Sequence, residues 1–167
     1  WIFNGQYGIL NSFLEAIGLI DDGIPWLGQT STALICVIIA RTWQMLPWYM
    51  AFLLGGLQSV PLDQIEAARI DGANNWVCFW RIILPSMKQT AILVFMLGLI
   101  GNLQHFDLPW TMVQGGPARA TTTLSIEVYT TAFKDWNMGK AATVGTIWAI
   151  ILACFSIIYI RQANEKD

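Results

Sequence analysis

The sequence predicts an all-α, polytopic membrane protein. Hydrophobic residues make up 55% of its 167 residues and charged residues only 12%, whereas a water-soluble domain carries about 25% charged residues. Three apolar stretches, residues 32–57, 89–106 and 141–160, approach or exceed the roughly 20 residues that a helix needs to cross a bilayer. We therefore predict three transmembrane helices. A soluble hairpin of buried helices is the alternative.

The distribution of Lys and Arg orients these helices, because cytoplasmic loops carry an excess of both residues. Residues 1–31 contain neither, and the long 107–140 loop contains three. The 58–88 loop and the tail of residues 161–167 contain Arg69, Arg81, Lys88, Arg161 and Lys166. We therefore expect the 58–88 loop and the tail to be cytoplasmic. The 1–31 segment, with an interfacial helix, and the 107–140 loop are then external.

The first predicted span, residues 32–57, contains a polar face. Arg41 and Pro47 interrupt its apolar run, and Arg41, Gln44 and Trp48 recur at the i, i+3, i+7 spacing of one helical face. Arg41 lies ~13 Å into the span at 1.5 Å per residue, near the middle of the bilayer. Polar groups at this depth usually face a cavity or a partner, so these three residues are candidates for a substrate pathway. Alternatively, Trp48 belongs to an aromatic belt.

The 58–88 loop predicts two short helices joined by a glycine corner. Ser59 is a candidate N-cap for the first helix, and Asn74 or Asn75 for the second. Gly72 between them permits a turn that few other residues tolerate. Such an element at the membrane surface suits the docking of a partner; an ordinary amphipathic loop is the alternative.

The second predicted span, residues 89–106, follows Pro85 and carries another polar face. Gly98, Asn102 and His105 recur at i, i+4, i+7. Two polar faces at comparable depth suggest a shared cavity. Alternatively, Asn102 bonds a neighbouring helix, and His105 is an interfacial hydrogen-bonding group.

The last external loop and the third span carry two further signals. Gly115-Gly116-Pro117 predicts a turn, and the 107–140 loop is longer than a connection requires. It is therefore a candidate docking surface for an external protein, with a plain connection as the alternative. In the 141–160 span, the small residues Gly145, Ala149 and Ala153 recur at the i, i+4, i+8 spacing that lets helices approach closely.

Several classes of protein are excluded or disfavoured. The net charge of −2 argues against nucleic-acid binding, which requires clustered Lys and Arg. The three cysteines lie far apart, so a disulfide framework is improbable, and the single histidine gives no metal-ligand spacing. No Gly-x4-Gly-Lys-Ser/Thr loop is present to bind nucleotide phosphates. The chain begins at Trp1, and we expect it to be a piece of a longer protein.

The 58–88 loop contains the pattern Glu66-Ala67-Ala68, three residues, Gly72, nine residues, and then Ile82-x-Leu84-Pro85. This pattern resembles the cytoplasmic signature of importer permeases of ATP-binding-cassette (ABC) systems. In that family this loop forms the coupling helix, which sits in a groove of the ATPase subunit. The resemblance therefore implies that the ATPase-docking residues are Glu66, Ala67, Ala68, Asp71 and Gly72.

Four further segments extend the resemblance: GILNSFLEAIGL followed by Trp26-Leu27-Gly28, LQSVPLDQIEAARIDGA at the start of the 58–88 loop, FDLPWTMVQGGP, and TTTL. These segments are similar to carbohydrate permeases, in particular to the maltose-type first permease subunit. The similarity implies that the chain is the C-terminal portion of a permease and holds helices four to six of a six-helix core.

The resemblance also implies a function and a set of partners. We expect a permease subunit of a sugar or oligosaccharide importer in a bacterial or archaeal cytoplasmic membrane. It would be neither an enzyme nor bound to a cofactor or metal. Its partners would be a second permease subunit, two ATPase subunits, an extracytoplasmic substrate-binding protein, membrane lipid and the sugar. In the family, sugar contacts come from the first two of these spans, including the positions matching Trp48 and Asn102.

Arg41 departs from the family pattern, in which this position is usually uncharged. It either pairs with a carboxylate on another helix or favours an anionic or strongly hydroxylated ligand. An importer for glycerol phosphate or another polar solute is therefore an alternative function. From a different class, an ion-coupled secondary transporter would need carboxylates inside the membrane, and the three predicted spans contain none.

Overall fold

The computed structural model describes the backbone of residues 1–164 and the side chains of residues 1–157. Throughout this part of the chain the regular structure is helical, which confirms the predicted all-α class. The elements run α1 (Ile9–Ala16), α2 (Thr30–Gln58), α3 (Leu62–Ile70), α4 (Asn75–Cys78), π1 (Phe79–Ile83), α5 (Leu84–Ser86), α6 (Lys88–Leu103), α7 (Asp107–Val113), α8 (Leu124–Tyr129), π2 (Thr130–Lys134) and α9 (Met138–Asn164).

Two of the described helices are long and apolar enough to cross a membrane, namely α2 and the Met138–Ile157 part of α9. Helix α2 contains the whole of the first predicted span, and Met138–Ile157 contains most of the third. A third crossing is present if Asn75–Ser86 and α6, which are bent by 68° at their break, form one broken span. Helix α6 alone has 16 residues, or ~24 Å at 1.5 Å per residue, which is shorter than a ~30 Å hydrocarbon core.

Helix α6 ends at Leu103, three residues before the predicted end of the second span. A continuous helix would need an N–H group at position 109 to bond the carbonyl of His105, and Pro109 has none. Pro109 instead lies in the first turn of α7, which begins at Asp107 and where a free N–H is not required. His105 therefore lies in the connection between two helices, and the prediction that it shares a helical face with Gly98 and Asn102 is wrong.

Pro47 does not break α2, which is continuous from Thr30 to Gln58. The proline removes one helical hydrogen bond, but membrane helices tolerate this loss because neighbouring groups satisfy the freed carbonyl. All three predicted pathway residues of the first span therefore lie within one helix.

The chain divides into two compact units: Trp1–Trp43 with the chain from Gln104 onward, and Gln44–Leu103. In the first unit α9 packs on α8 and π2, around the buried side chains of Ile126 and Ala141. In the second unit a close contact joins Gly56 of α2 to Thr90 of α6.

A polar residue, Asn11, organises the segment before α2. Its side chain is only 2% exposed, and its Nδ2 donates to the carbonyls of Gly5 and Ile24, both at 2.9 Å. Its Oδ1 accepts a hydrogen bond of 2.6 Å from the indole Nε1 of Trp26. One buried amide thus links three parts of this segment.

One row of large apolar side chains along α1 is exposed. Ile9 is 69% exposed, Phe13 60% and, just beyond the helix, Ile17 52%, and they recur every four residues. The buried residue of α1 is Asn11, whereas this row of large apolar side chains is exposed.

The predicted tail, residues 161–167, begins inside α9, whose backbone is helical to Asn164. The residues after Asn164, including Lys166, lie outside the described part of the chain, and so does the side chain of Arg161.

Candidate functional site

The predicted glycine corner is present between α3 and α4. Gly72 has a φ of +85°, a left-handed conformation that strains any residue with a side chain. Its N–H donates to the carbonyl of Arg69 at 3.0 Å, and the N–H of Ala73 donates to the carbonyl of Ala68 at 2.9 Å. This pair of bonds is a Schellman motif, which closes the C-terminal end of a helix. The backbone of the corner, rather than any lack of space, requires glycine here.

The caps on the two helices agree with the prediction at one position and not at the other. Asn74 caps α4, because its Oδ1 accepts a hydrogen bond of 2.9 Å from the N–H of Val77. The prediction for Ser59 is wrong, since Pro61 occupies the N-cap position of α3 without a side-chain bond. The hydroxyl of Ser59 instead donates to the carbonyl of Gly56 at 2.7 Å, at the end of α2.

The residues predicted to dock an ATPase lie on α3 and the turn after it. Ala68 is half-buried, and the others are exposed: Glu66, Ala67, Asp71 and Gly72. Large apolar side chains beside them are also exposed: Leu62 at 70%, Ile70 at 87% and Trp76 at 71%. An exposed surface that combines large apolar groups with charges is typical of a protein–protein interface.

Gly98 and Asn102 of α6 both meet Tyr49 of α2. A Cβ atom at position 98 would lie 2.3 Å from the Tyr49 hydroxyl oxygen, so the ring approaches α6 at a point where only glycine leaves room. The Nδ2 of Asn102 donates to the same hydroxyl at 3.1 Å. This contact matches the alternative in which Asn102 bonds a neighbouring helix, and the Asn102 side chain also remains exposed.

The sequence alone does not single out Tyr49. The available signal is chemical: a tyrosine within an apolar helix usually needs a partner for its hydroxyl. Tyr49 also belongs to an aromatic row along α2. The Trp48 ring lies 5.1 Å from that of Tyr49 in an edge-on arrangement and 4.5 Å from that of Phe52. Trp48 is half-buried, and Gln44, one turn before it, is exposed.

The side chains of Arg41 and His105 are in direct contact. Arg41 lies in α2, whereas His105 lies in the connection between α6 and α7. The Nη1 of Arg41 donates to the Nε2 of His105 at 3.2 Å, and both side chains are half-buried. Because Nε2 accepts this bond, the imidazole is neutral and carries its proton on Nδ1. The contact joins α2 to the connection that follows α6.

The 107–140 loop is largely helical, which was not predicted. It contains α7, α8 and π2, and the side chains of Ile126 and Thr131 are 1% exposed. Thr123 caps α8, since its Oγ1 accepts a bond of 3.4 Å from the N–H of Ile126. The available signal was a threonine N-cap followed by an acidic residue in the first turn. The loop is therefore a folded element that packs on α9.

The predicted turn at Gly115-Gly116-Pro117 is present within a backbone that is rich in left-handed residues. Gln114, Gly115, Ala118 and Arg119 all have positive φ, between 45° and 85°. Two threonine hydroxyls hold this turn: Thr121 donates to the carbonyl of Gly116 at 2.7 Å, and Thr122 to that of Gly115 at 3.1 Å.

Three charged side chains meet beside this turn. The Nη2 of Arg119 forms an ion pair with Oε2 of Glu127 on α8, and the Nζ of Lys140 lies 4.0 Å from Oε1 of the same carboxylate. They line an open cleft of about 430 Å³. Another lysine of this loop, Lys134, places its Nζ 4.7 Å from the centre of the Trp110 ring.

A metal centre has no basis in the described residues, where no three His, Cys, Asp or Glu side chains form a group able to hold an ion. Cys36 and Cys78 are buried as free thiols. The arrangement therefore consists of hydrogen-bonding and aromatic groups on long helices, an exposed helical corner and a folded loop. These features define a helical protein with helices long and apolar enough to cross a membrane and with exposed surfaces suited to binding.

Comparison with known proteins identifies the family. Residues 3–167 match the family described as the binding-protein-dependent transport system inner membrane component. The chain is 38% identical over 167 residues to a probable ABC transporter permease protein of Brucella suis, covering all of this chain and 58% of that protein. It is 32% identical over 168 residues to the trehalose/maltose transport system permease protein MalF of Thermococcus litoralis, covering 99% of this chain and 55% of that protein.

A solved structure shows the same fold. A chain of a bacterial alginate ABC transporter, crystallised in complex with an alginate pentasaccharide-bound periplasmic protein, superposes with a TM-score of 0.85 at 20% identity. The match covers 98% of this chain and 57% of that one. The protein belongs to the family of inner membrane components of binding-protein-dependent transport systems, as its sequence resemblance predicted. It spans somewhat more than half the length of these relatives.

Proposed function

We propose that this chain forms part of the translocation pathway of an ATP-driven importer for a sugar or oligosaccharide, and that its 58–88 loop docks the ATPase subunit. The observation that carries the proposal is the exposed corner of α3 and α4. Its Schellman turn fixes the direction of the chain at Gly72, while Glu66 and Ile70 remain open to a partner. The exposed apolar side chains beside these charges favour contact with another protein.

Membership of the family supports the remaining components. ATP hydrolysis belongs to a separate ATPase subunit, because the chain has no nucleotide-binding loop. A second permease subunit completes the pathway, and an extracytoplasmic substrate-binding protein delivers the solute. The complex lies in a bacterial or archaeal cytoplasmic membrane, with the 58–88 loop on the cytoplasmic side and the 107–140 loop outside.

The substrate class rests on the relatives and on the character of the long helices. One relative transports trehalose and maltose by name. Sugars are recognised by aromatic faces and hydrogen-bonding groups, and α2 and α6 supply Trp48, Gln44 and Asn102. Glycerol phosphate or another polar solute is the second candidate, and the observation that favours it is the cationic Arg41 beside His105.

An ion-coupled secondary transporter has less support. Such proteins use carboxylates inside the membrane as proton or ion relays. No Asp or Glu occurs in α2, in α6 or in Met138–Ile157 of α9.

The docking role is tested by Glu66→Lys and Gly72→Val in the intact transporter. A reversed charge at a partly buried contact costs about 2–5 kcal/mol, and a side chain at Gly72 strains the left-handed turn. We expect both variants to insert in the membrane but to lose the ATPase subunit on co-purification, or to lose sugar-stimulated ATP hydrolysis. Glu15→Lys, the same charge change on an exposed residue of α1, is the control and should retain both.

Normal ATPase retention and normal transport in Glu66→Lys and Gly72→Val would rule out the docking role. The substrate class is tested separately. A screen of sugars, glycerol phosphate and other polar solutes for stimulation of ATP hydrolysis through the binding protein would define the substrate.

A further inference from the structure

We propose that the cleft beside Arg119 binds an acidic side chain of the extracytoplasmic substrate-binding protein, and that Glu127 occupies the place of that acid when the partner is absent. The inference rests on the proposed function, because it requires the 107–140 loop to be external. It identifies which groups of this loop make the contact and the chemistry of the group that they bind.

The three charges are arranged for exchange. The Glu127 side chain is 19% exposed, whereas those of Arg119 and Lys140 are 72% and 59% exposed. The carboxylate is thus the sheltered member of the cluster, and the two cations reach towards solvent. An exposed ion pair of this kind contributes little net stability, so a second carboxylate can replace Glu127 at Arg119 at little cost.

Lys140 makes the exchange easier still. Its Nζ lies 4.0 Å from Glu127, so the carboxylate keeps a cation when Arg119 turns away. Lys140 stands in the first turns of α9, whereas Arg119 belongs to the turn after Pro117. The two cations are therefore carried by different elements, and one can move without the other.

The backbone at Arg119 points to a role beyond holding the fold together. Its φ of +65° lies in the region that favours glycine and that long side chains rarely adopt. The weak, exposed ion pair gives little stability in return for this strain. Strained residues that persist are concentrated at binding and catalytic sites. The strain at Arg119 therefore favours a contact of its side chain outside the fold.

The frame around Arg119 does not depend on the ion pair. The hydroxyls of Thr121 and Thr122 hold the carbonyls of Gly116 and Gly115, and a Cβ at Gly115 would lie 2.9 Å from Thr122 Oγ1 and 3.2 Å from Ile126. When Arg119 leaves Glu127, these contacts keep the turn in place.

The cleft has room for a side chain from a partner. Its volume is about 430 Å³. The polar residues Gln114, Thr122 and Thr130 line it together with the three charged side chains described above. Asp135 also lines it, and its charge opposes an entering acid. The contact is therefore weak, which suits a partner that must dissociate in every transport cycle.

Two variants, Arg119→Gln and Glu127→Gln, distinguish exchange of the partner of Arg119 from simple structural support of the turn. In the complete transporter in lipid nanodiscs, the concentration of the transporter's own substrate-binding protein that gives half-maximal stimulation of ATP hydrolysis is measured. Arg119→Gln should raise this concentration about three- to fivefold at low salt, as expected for one exposed ion pair. Glu127→Gln should lower it, because the internal competitor for Arg119 is removed.

Lys134→Gln is the matched control. It removes a cation from the same loop, but that cation lies over the Trp110 ring and outside the cleft, so we expect a change of less than twofold. Salt provides a second measurement. Added NaCl should weaken the stimulation by the binding protein in the wild type and less so in Arg119→Gln, because salt screens exposed charges.

If Arg119 and Glu127 only support the turn, both variants weaken the interaction to the same extent and lower the melting temperature of the complex together. That result, or unchanged half-maximal concentrations in both variants, would overturn the inference while sugar transport continues. A transporter that the binding protein does not stimulate even in the wild type would instead count against the proposed function.

Discussion

At the residue scale, Gly98 and Asn102 depend on a side chain of another helix. Tyr49 contacts the backbone of α6 at Gly98 and accepts a hydrogen bond from Asn102. The tyrosine thereby fixes where the Asn102 amide lies, while the Asn102 side chain stays exposed. Packing and substrate binding are therefore compatible roles for Asn102.

Two substitutions distinguish these roles. Asn102→Ala removes the amide, whereas Tyr49→Phe removes only the hydroxyl that it bonds. If Asn102 binds the sugar, Asn102→Ala should raise the half-saturating sugar concentration for transport by up to about tenfold, the equivalent of one hydrogen bond. Tyr49→Phe should change it less, because the amide remains. Equal effects at matched protein levels would assign Asn102 to packing alone.

At the scale of elements, α1 combines a buried asparagine with an exposed apolar side. The exposed Ile9, Phe13 and Ile17 cannot rest against the segment that Asn11 organises. An amphipathic helix beside a transmembrane span is stabilised when its apolar side enters the membrane interface. We therefore expect α1 to lie in the outer surface of the membrane.

Spin labels test this position of α1. In the complete transporter in lipid vesicles, a label on a cysteine at Phe13 should collide with oxygen, which dissolves in lipid, and be shielded from a water-soluble nickel chelate. A label at Glu15, which is exposed on the same helix, should show the reverse. If the Phe13 label is shielded from both reagents, another protein covers this side of α1 and the lipid contact is wrong.

At the scale of the whole molecule, charge placement and three predicted crossings predict the topology, with the 58–88 loop inside and the 107–140 loop outside. Cys78 is only 2% exposed, so its lack of reaction with a thiol reagent would not report on sidedness. Gln64 on α3 and Gly139 at the start of α9 are exposed, and a side chain at Gly139 meets no atom within 4 Å. These two positions are suitable for introduced cysteines.

We expect a membrane-impermeant thiol reagent applied to sealed cells to label Gly139→Cys and not Gln64→Cys, with Cys154 replaced by serine in both. Lysed cells supply the control, in which both positions react. Labelling of Gln64→Cys in sealed cells would reverse the orientation, and the 58–88 loop would then not meet a cytoplasmic ATPase.

The features that were predictable from sequence are those that short stretches of chain determine. The long helices follow from apolar length, and the corner at Gly72 from a helix-ending motif of a few neighbouring residues. Tyr49 was not predictable because its partner lies 53 positions away, and the burial of Asn11 depends on a carbonyl 13 positions away. The helices of the 107–140 loop are short and have no strong periodic pattern, and two of them, α8 and π2, pack on α9.

The 68° bend between Asn75–Ser86 and α6 has a mechanical consequence. Residues 75–86 form one helical rod about 18 Å long at 1.5 Å per residue, with the corner at Gly72 at one end and the buried Met87 at the other. A rod of this length acts as a lever arm. A rotation of about 10° at Met87 would displace Asn75 by ~3 Å, by the same helical rise. Small rotations at the base of α6 would in this way produce displacements of several ångströms at the corner. A displacement of the corner would conversely produce only a small rotation at the base of α6.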